Sequence, residues 1–107
     1  MLRKVKLGLH TYPITWVDGP IPDDEGNPTL AGQIQHSGTR RIRVSKTDSI
    51  DMRETLLHEC LHGIFVDRDL DVLTHDADAA EHLVSSLSRG LLAALRENKG
   101  LAEFLIG

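Results

Sequence analysis

Residues 54–62, in the middle of the chain, read ETLLHECLH. Apolar residues recur around this stretch at helical spacing: Met52, Leu56, Leu57, Cys60, Leu61, Ile64 and Phe65. Asp48 or Ser49 is placed to cap the start of such a helix, and the pattern fades at Asp67. The sequence therefore predicts one helix with this stretch at its centre.

A second helix is predicted further along the chain, beginning near Asp76 and ending near Asn98. Its apolar residues form one broad stripe: Ala80, Leu83, Val84, Leu87, Leu91, Leu92 and Leu95. We expect this stripe, centred between Leu87 and Leu91, to pack against the first helix. A final short turn is expected over residues 101–106.

The first half of the chain reads as strands. Apolar and polar residues alternate over residues 5–16, where Pro13 marks an edge position or a break. Residues 33–36 and 40–45 flank a short turn that contains glycine, which is typical of a hairpin. Residues 18–29 hold three of the 4 prolines and are expected to form a loop.

The composition is that of one globular domain, with 107 residues of which 40% are hydrophobic and 26% charged. We expect an α+β domain over residues 1–107, in which a small, mostly antiparallel sheet packs on two long helices. The net charge of −4 argues against a nucleic-acid partner, and no apolar run is long enough for a membrane span. Cys60 is the single cysteine, so a reducing, cytoplasmic location is expected.

Residues 58–62 form the pattern H-E-x-x-H within the first predicted helix. His58 and His62 are one turn apart, about 40° around the helix, so both rings point the same way and can bind one tetrahedral Zn²⁺. Glu59 is offset by about 100° and lies beside the metal, where it can take a proton from a metal-activated water. The pattern predicts a zinc site with Glu59 as its catalytic base.

A catalytic zinc needs a third protein ligand, for which the downstream candidates are His75, Asp76, Asp78, Glu81 and His82. Glu81 flanks the apolar stripe of the second helix, so it can face the histidine pair when the helices pack together. Asp78 and His82 point about 160° from the centre of the stripe, toward solvent. Glu81 is the preferred third ligand, while His75, Asp78 and His82 stay open.

Three supporting roles also stay open. Glu54 or Asp51 can accept a hydrogen bond from a ligand imidazole. The candidates for stabilising an oxyanion are Tyr12, His36, His75 and His82. An extended substrate is expected to add to a sheet edge, at residues 31–36 or at the hairpin partner of that segment.

These features together resemble the gluzincin-type zinc metallopeptidases, in which H-E-x-x-H on one helix is joined by a glutamate from the next. In particular, the chain looks like the small stand-alone zincin proteins of bacteriophages and prophages. The likeness covers roughly residues 30–100 and includes four segments: RRIRVS at 40–45, ETLLHECLH at 54–62, EHLV at 81–84 and LLAALREN at 91–98.

The resemblance implies a minimal zincin-like domain that hydrolyses peptide bonds with Zn²⁺ as its cofactor. His58, His62 and Glu81 would be the zinc ligands, and Glu59 the general base. The implied partner is a peptide or protein substrate, without nucleic acid or membrane, and the location is the host cytoplasm if the protein is phage-encoded. The alternatives are a metal-binding regulatory or interaction module with weak or no hydrolytic activity, and a hydrolase of non-peptide bonds.

Overall fold

A computed structural model describes residues 1–23, 25–46, 51–73 and 76–107. The strands are β1 (Lys4–Leu7), β2 (His10–Val17), β3 (Ile21–Pro22), β4 (Pro28–Leu30), β5 (Gly32–Gln35) and β6 (Arg41–Ser45). The helices are α1 (Met52–Asp67), α2 (Ala77–Glu97) and α3 (Leu101–Ile106), with a 3₁₀ turn at Leu70–Leu73. The fold is α+β, as the sequence predicts. None of the helices in these ranges has the length and apolar character needed to cross a bilayer.

The main sheet has four strands in the order β1-β2-β6-β5. It is mixed, because β2 and β6 run parallel while the other two pairs are antiparallel. The predicted hairpin of residues 33–36 and 40–45 is confirmed as β5 and β6. The loop expected over residues 18–29 is instead partly ordered, because β3 and β4 pair as a second small sheet around the fully buried Ile21.

Pro13 lies inside β2 at the point where the strand changes partners. Residues 10–13 pair with β1, and the ladder to β6 begins only at Ile14. The N–H of Ile14 donates to the carbonyl of Arg3 on the β1 side, so the nitrogen of Pro13 faces the other side. Pro13 therefore occupies a local edge position, where its missing N–H costs no ladder hydrogen bond.

Helix α1 lies across one face of the main sheet. Met52, Leu56 and Cys60 of α1 pack against a core cluster supplied by the strands: Leu7, Tyr12, Ile14, Ile42 and Val44. Asp51 caps the helix by accepting a hydrogen bond from the N–H of Arg53. The predicted caps, Asp48 and Ser49, lie outside the described residues.

Helix α2 packs on α1 through a face that differs from the expected one. Val84 and Ser88 are its most buried residues, at 0% and 1% exposed. The leucines of the predicted stripe stay between 38% and 44% exposed: Leu83, Leu87, Leu91 and Leu95. The prediction was therefore partly wrong, since Val84 of the stripe is buried but the centre of the stripe at Leu87 and Leu91 is not. The contacts of Glu81 and Ser85 with the histidines of α1 accompany this shift of the packed face. The predicted N-cap of α2, Asp76, is confirmed by its hydrogen bond from the N–H of Ala79.

Candidate metal centre

Three side chains converge between α1 and α2. His58 Nε2 lies 2.7 Å from Glu81 Oε1, and His62 Nε2 lies 3.0 Å from Glu81 Oε2. The two Nε2 atoms are 3.0 Å apart. The helices run antiparallel, so the turn between His58 and His62 faces the turn between Ser85 and Glu81. The structure thus brings together the two histidines of the motif and the preferred third ligand.

Glu59 projects from α1 toward the sheet, next to this cluster. Its side chain is buried, with the residue 6% exposed, and its Oε1 lies 3.9 Å from His58 Nε2. Gly32 of β5 provides the room, since a Cβ there would lie 3.2 Å from Glu59 Cγ and 2.6 Å from Thr55 Cγ2. One ligand atom each of His58, Glu59 and His62 lies within 4.8 Å of the others. Glu59 is therefore beside the histidine pair, as predicted, and more deeply buried than a helical wheel suggests.

Burial changes the proton affinities at this site. Desolvation, and after it the negative charge of Glu81, raises the pKa of Glu59 to about 8. Desolvation also lowers the pKa of His62, although the Glu81 carboxylate acts in the opposite direction. A neutral imidazole is the form that binds a metal ion, and a base that titrates near neutral pH is suited to proton transfer.

Ser85 is the residue at the site that sequence reasoning missed. Its Oγ lies 3.4 Å from Nδ1 of His58, on the far side of the ring from Glu81. Glu54 and Asp51 were expected to accept a hydrogen bond from a ligand imidazole, but both have other partners. Glu54 pairs with Arg89 at 3.5 Å, and Asp51 caps α1. The spacing was a usable signal, because Ser85 follows Glu81 by one helical turn on the same face of α2.

Asp51 is instead tied to the C-terminal end of α2. Its carboxylate accepts a hydrogen bond from Arg96, which lowers the pKa of Asp51, with a smaller contribution from the N–H of Arg53. This contact joins the first turn of α1 to the last turn of α2. The contact between Asp51 and Arg96 therefore helps to hold the two helices together, and it lies at the opposite end of α1 from His62.

Apart from His36, which is near enough to His62 to contribute to the lowering of its pKa, the other candidate residues do not join the histidine pair or lie outside the described residues. Asp78 and His82 are exposed on α2, as expected, and His75 falls in an undescribed position. Asp76 is used as the cap of α2. Tyr12 is buried in the core with its ring nearly perpendicular to that of His36, at a centroid distance of 6.4 Å.

Cys60 is half-buried on the core side of α1. Burial, and to a smaller degree the charge of Glu59, raises the pKa of the Cys60 thiol to about 11. The thiol is therefore protonated at neutral pH and unsuited to act as a nucleophile.

A cleft of about 290 Å³ opens beside the converging side chains. Its walls come from α1 and α2, and Ala31 and Gly32 at the start of β5 form another side. The side chain of Glu81 is 58% exposed, so the centre is open to solvent on the α2 side. Arg89 lies at the cleft as well, where it pairs with Glu54.

Comparison of the chain with protein-family models, with curated proteins and with solved structures gave no match. The function is therefore argued from the residues and their geometry.

Proposed function

We propose that the protein is a zinc-dependent metallopeptidase of minimal zincin-like type. His58, His62 and Glu81 hold the metal, and Glu59 is the general base. The observation that carries the proposal is the convergence of two imidazoles and one carboxylate from two helices, with contacts of 2.7 to 3.0 Å. Histidine, histidine and carboxylate form a typical ligand set of catalytic zinc sites.

The distances also fit the proposed metal. Tetrahedral zinc with ligands at about 2.0–2.1 Å keeps its donor atoms about 3.3 Å apart. The contacts here, from 2.7 to 3.0 Å, are a few tenths of an ångström shorter, so a small outward shift of three side chains is sufficient. The lowered pKa of His62 favours the neutral imidazole that binding requires.

Glu59 is the residue that moves protons in this proposal. Zinc in such a site supplies a Lewis acid, which polarises a carbonyl group and lowers the pKa of water. Glu59 takes the proton of the attacking water and returns it to the leaving amine. Its burial between α1 and Gly32 raises its pKa to about 8 in the metal-free protein, and a bound dication beside it would lower that pKa and favour the carboxylate that accepts the proton.

The free edge of the sheet supports an extended peptide as the substrate. Within the described part of the chain, β5 is the outermost strand and pairs with β6 alone. A peptide can therefore add to its open edge by main-chain hydrogen bonds. Because Ala31 and Gly32 also line the cleft, a peptide bound at this edge would pass the histidine pair.

A metal-binding regulatory module is the alternative, and one observation favours it. Among the described residues that line the cleft, there is no tyrosine and His58 is the single histidine. Arg89 is the arginine among these lining residues, and it is already paired with Glu54. Weak stabilisation of the transition state would leave a metal site with little hydrolytic activity.

Metal analysis tests the proposal directly. We expect about one Zn²⁺ per chain after purification without added metal, and its loss in His62→Ala. His82→Ala is the matched control, because His82 is exposed on α2 and is expected to leave the zinc content unchanged. Wild-type protein that binds no zinc at saturating concentration, or His82→Ala that loses it as His62→Ala does, would contradict the proposal.

Ser85→Ala is expected to lower the affinity for zinc about tenfold without removing a ligand. With Nε2 of His58 turned toward the metal, Nδ1 carries the proton and donates it to Ser85 Oγ, which holds the ring in place. Competition with a chromogenic chelator measures the affinity. Ser86→Ala, the same change at an exposed position of α2, should match the wild type. Equal affinities of all three proteins would remove Ser85 from this role.

A further inference from the structure

The charges of this chain are strongly segregated. Residues 1–17 and 30–46, which include β1, β2, β5 and β6, contain seven lysines and arginines and no aspartate or glutamate. All 16 acidic residues lie elsewhere in the sequence. Although the net charge of the chain is −4, the charged residues of the main sheet are therefore all lysines and arginines.

The strand register places four of these cations on one face of the sheet. Ile42 and Val44 point into the core under α1, so Arg41 and Arg43 point to the opposite face. Leu7 of β1 also belongs to the core, which turns Lys4 and Lys6 outward. We call Lys4, Lys6, Arg41 and Arg43 the cationic face. The other side chains on this face of the paired rows are uncharged: Thr11, Pro13, Thr15, Val17, Gln33, Gln35 and Ser45.

The cationic face has no carboxylate partner within the described ranges. The cations that pair with acids lie at other positions: Lys46, Arg53, Arg68, Arg89 and Arg96. Arg43 donates a hydrogen bond to the Gln33 side chain, which is neutral and orients the guanidinium. Like charges on one sheet face repel each other, so their clustering without counter-charges is typical of a surface that meets an anionic partner.

We propose that the cationic face binds an acidic, extended segment of a partner protein. Four strands spaced about 4.8 Å apart make a flat surface about 14 Å across, which suits a short extended peptide. Gln33 and Gln35 lie on the outermost strand. The Gln33 oxygen accepts from Arg43 and the Gln35 nitrogen donates to the carbonyl of Ser37, which leaves the Gln33 nitrogen to donate to a peptide backbone and the Gln35 oxygen to accept from it. The carboxylates of the segment pair with the two arginines and two lysines.

Nucleic acid fits this surface less well. Single strands are held by aromatic side chains on which bases stack, and Tyr12 and Trp16 of β2 point to the core side. The affinity for duplex DNA grows with the number of phosphates that lysines and arginines neutralise, and four cations supply fewer contacts than the roughly 6–10 of a strongly bound protein. The cationic face also lies on the side of the sheet opposite α1, so this inference does not rest on the metal centre.

Charge reversal tests the proposal on the full chain. The probe is a fluorescein-labelled ten-residue peptide of alternating glutamate and serine, titrated by fluorescence anisotropy at low and at physiological salt. The wild type is expected to bind it, with weaker binding at the higher salt concentration. The triple variant Lys4→Glu/Lys6→Glu/Arg41→Glu is expected to lose at least about tenfold in affinity. Arg43 is left unchanged because it is partly buried.

The matched control is Arg53→Glu/Arg68→Glu/Lys99→Glu, which changes the formal charge equally at three exposed positions away from the sheet. It should bind within about twofold of the wild type, and thermal unfolding of both triple variants verifies the fold. Equal loss of affinity in the two triple variants, or no binding by the wild type, would overturn the proposal. Tighter binding of a ten-nucleotide single-stranded DNA at the same sites would also overturn it in favour of a nucleic-acid partner.

Discussion

Glu59→Gln is expected to lower peptide hydrolysis by about 10²–10⁴-fold while zinc stays bound. Glutamine keeps the shape of the side chain but cannot accept a proton from water. Glu59 makes no contact shorter than 3.9 Å with His58 Nε2, so His58, His62 and Glu81 keep their positions. Cleavage of an unfolded protein substrate, followed by mass spectrometry, gives the rate, and elemental analysis gives the zinc content.

Glu97→Gln is the control for this experiment, because Glu97 is an exposed carboxylate near the end of α2. It should cleave at the wild-type rate. If Glu59→Gln protein hydrolyses peptides as fast as the wild type, the general base lies elsewhere and the peptidase mechanism fails. If the wild type binds zinc and cleaves no peptide, the metal-binding regulatory module becomes the better interpretation.

The same substitution is expected to stabilise the metal-free protein at alkaline pH. The pKa of Glu59 rises from its ordinary value of 4.5 to about 8 on folding, since burial disfavours the charged form. The unfolded chain releases this proton first, so metal-free stability falls as the pH rises from about 4.5 through about 8. Glutamine does not titrate in this range. The free energy of unfolding of Glu59→Gln should therefore rise relative to that of the wild type by about 3 kcal/mol between pH 5 and pH 8.

Urea unfolding of both metal-free proteins at pH 5 and pH 8 measures this difference. Using the difference between variant and wild type cancels the contribution of other groups, such as His62, whose lowered pKa acts with the opposite sign. Glu97→Gln again serves as the control, and its free energy of unfolding should show no comparable rise relative to that of the wild type. A pH-independent difference between Glu59→Gln and wild type would mean that Glu59 is not buried in the metal-free fold.

The two predictions for Glu59→Gln imply that Glu59 serves hydrolysis at the expense of the stability of the metal-free protein. Glu59 is 6% exposed and packs against β5 at Gly32, a position where an apolar side chain would be more stable. A carboxyl group retained there lowers the stability of the metal-free protein at neutral pH. Such a cost is typical of residues kept for chemistry rather than for folding.

The sequence alone was sufficient for the two long helical segments and for most of the strands, although not for β3 and β4. Helical spacing predicts α1 with His58 and His62 on one side, because residues four apart always lie on the same face of a helix. Alternation and a glycine turn predict the pair β5 and β6, which the structure confirms. These features are local, and local geometry follows from residue order.

The position of Glu81 was predicted correctly from packing that was partly wrong. The apolar stripe of α2 was expected to face α1, but Val84 and Ser88 are buried while Leu87 and Leu91 stay half-exposed. A helical wheel identifies the most hydrophobic face of a helix. It takes no account of the polar contacts that Glu81 makes with His58 and His62 when α2 packs on α1. Glu81 borders both the predicted and the observed packing face of α2, so its expected position next to the histidines does not depend on which face packs.

Residue order alone specifies which side chains are available: a histidine pair one turn apart, a glutamate beside it, and strands without acids. The depth at which Glu59 is buried, the face of α2 that meets α1 and the contact of Ser85 with His58 depend on how the elements pack. The tertiary structure also places Lys4 and Arg41 on one surface, although they are far apart in the chain. The physical reason is that desolvation and contact distances depend on neighbours from distant parts of the sequence, and residue order does not specify them.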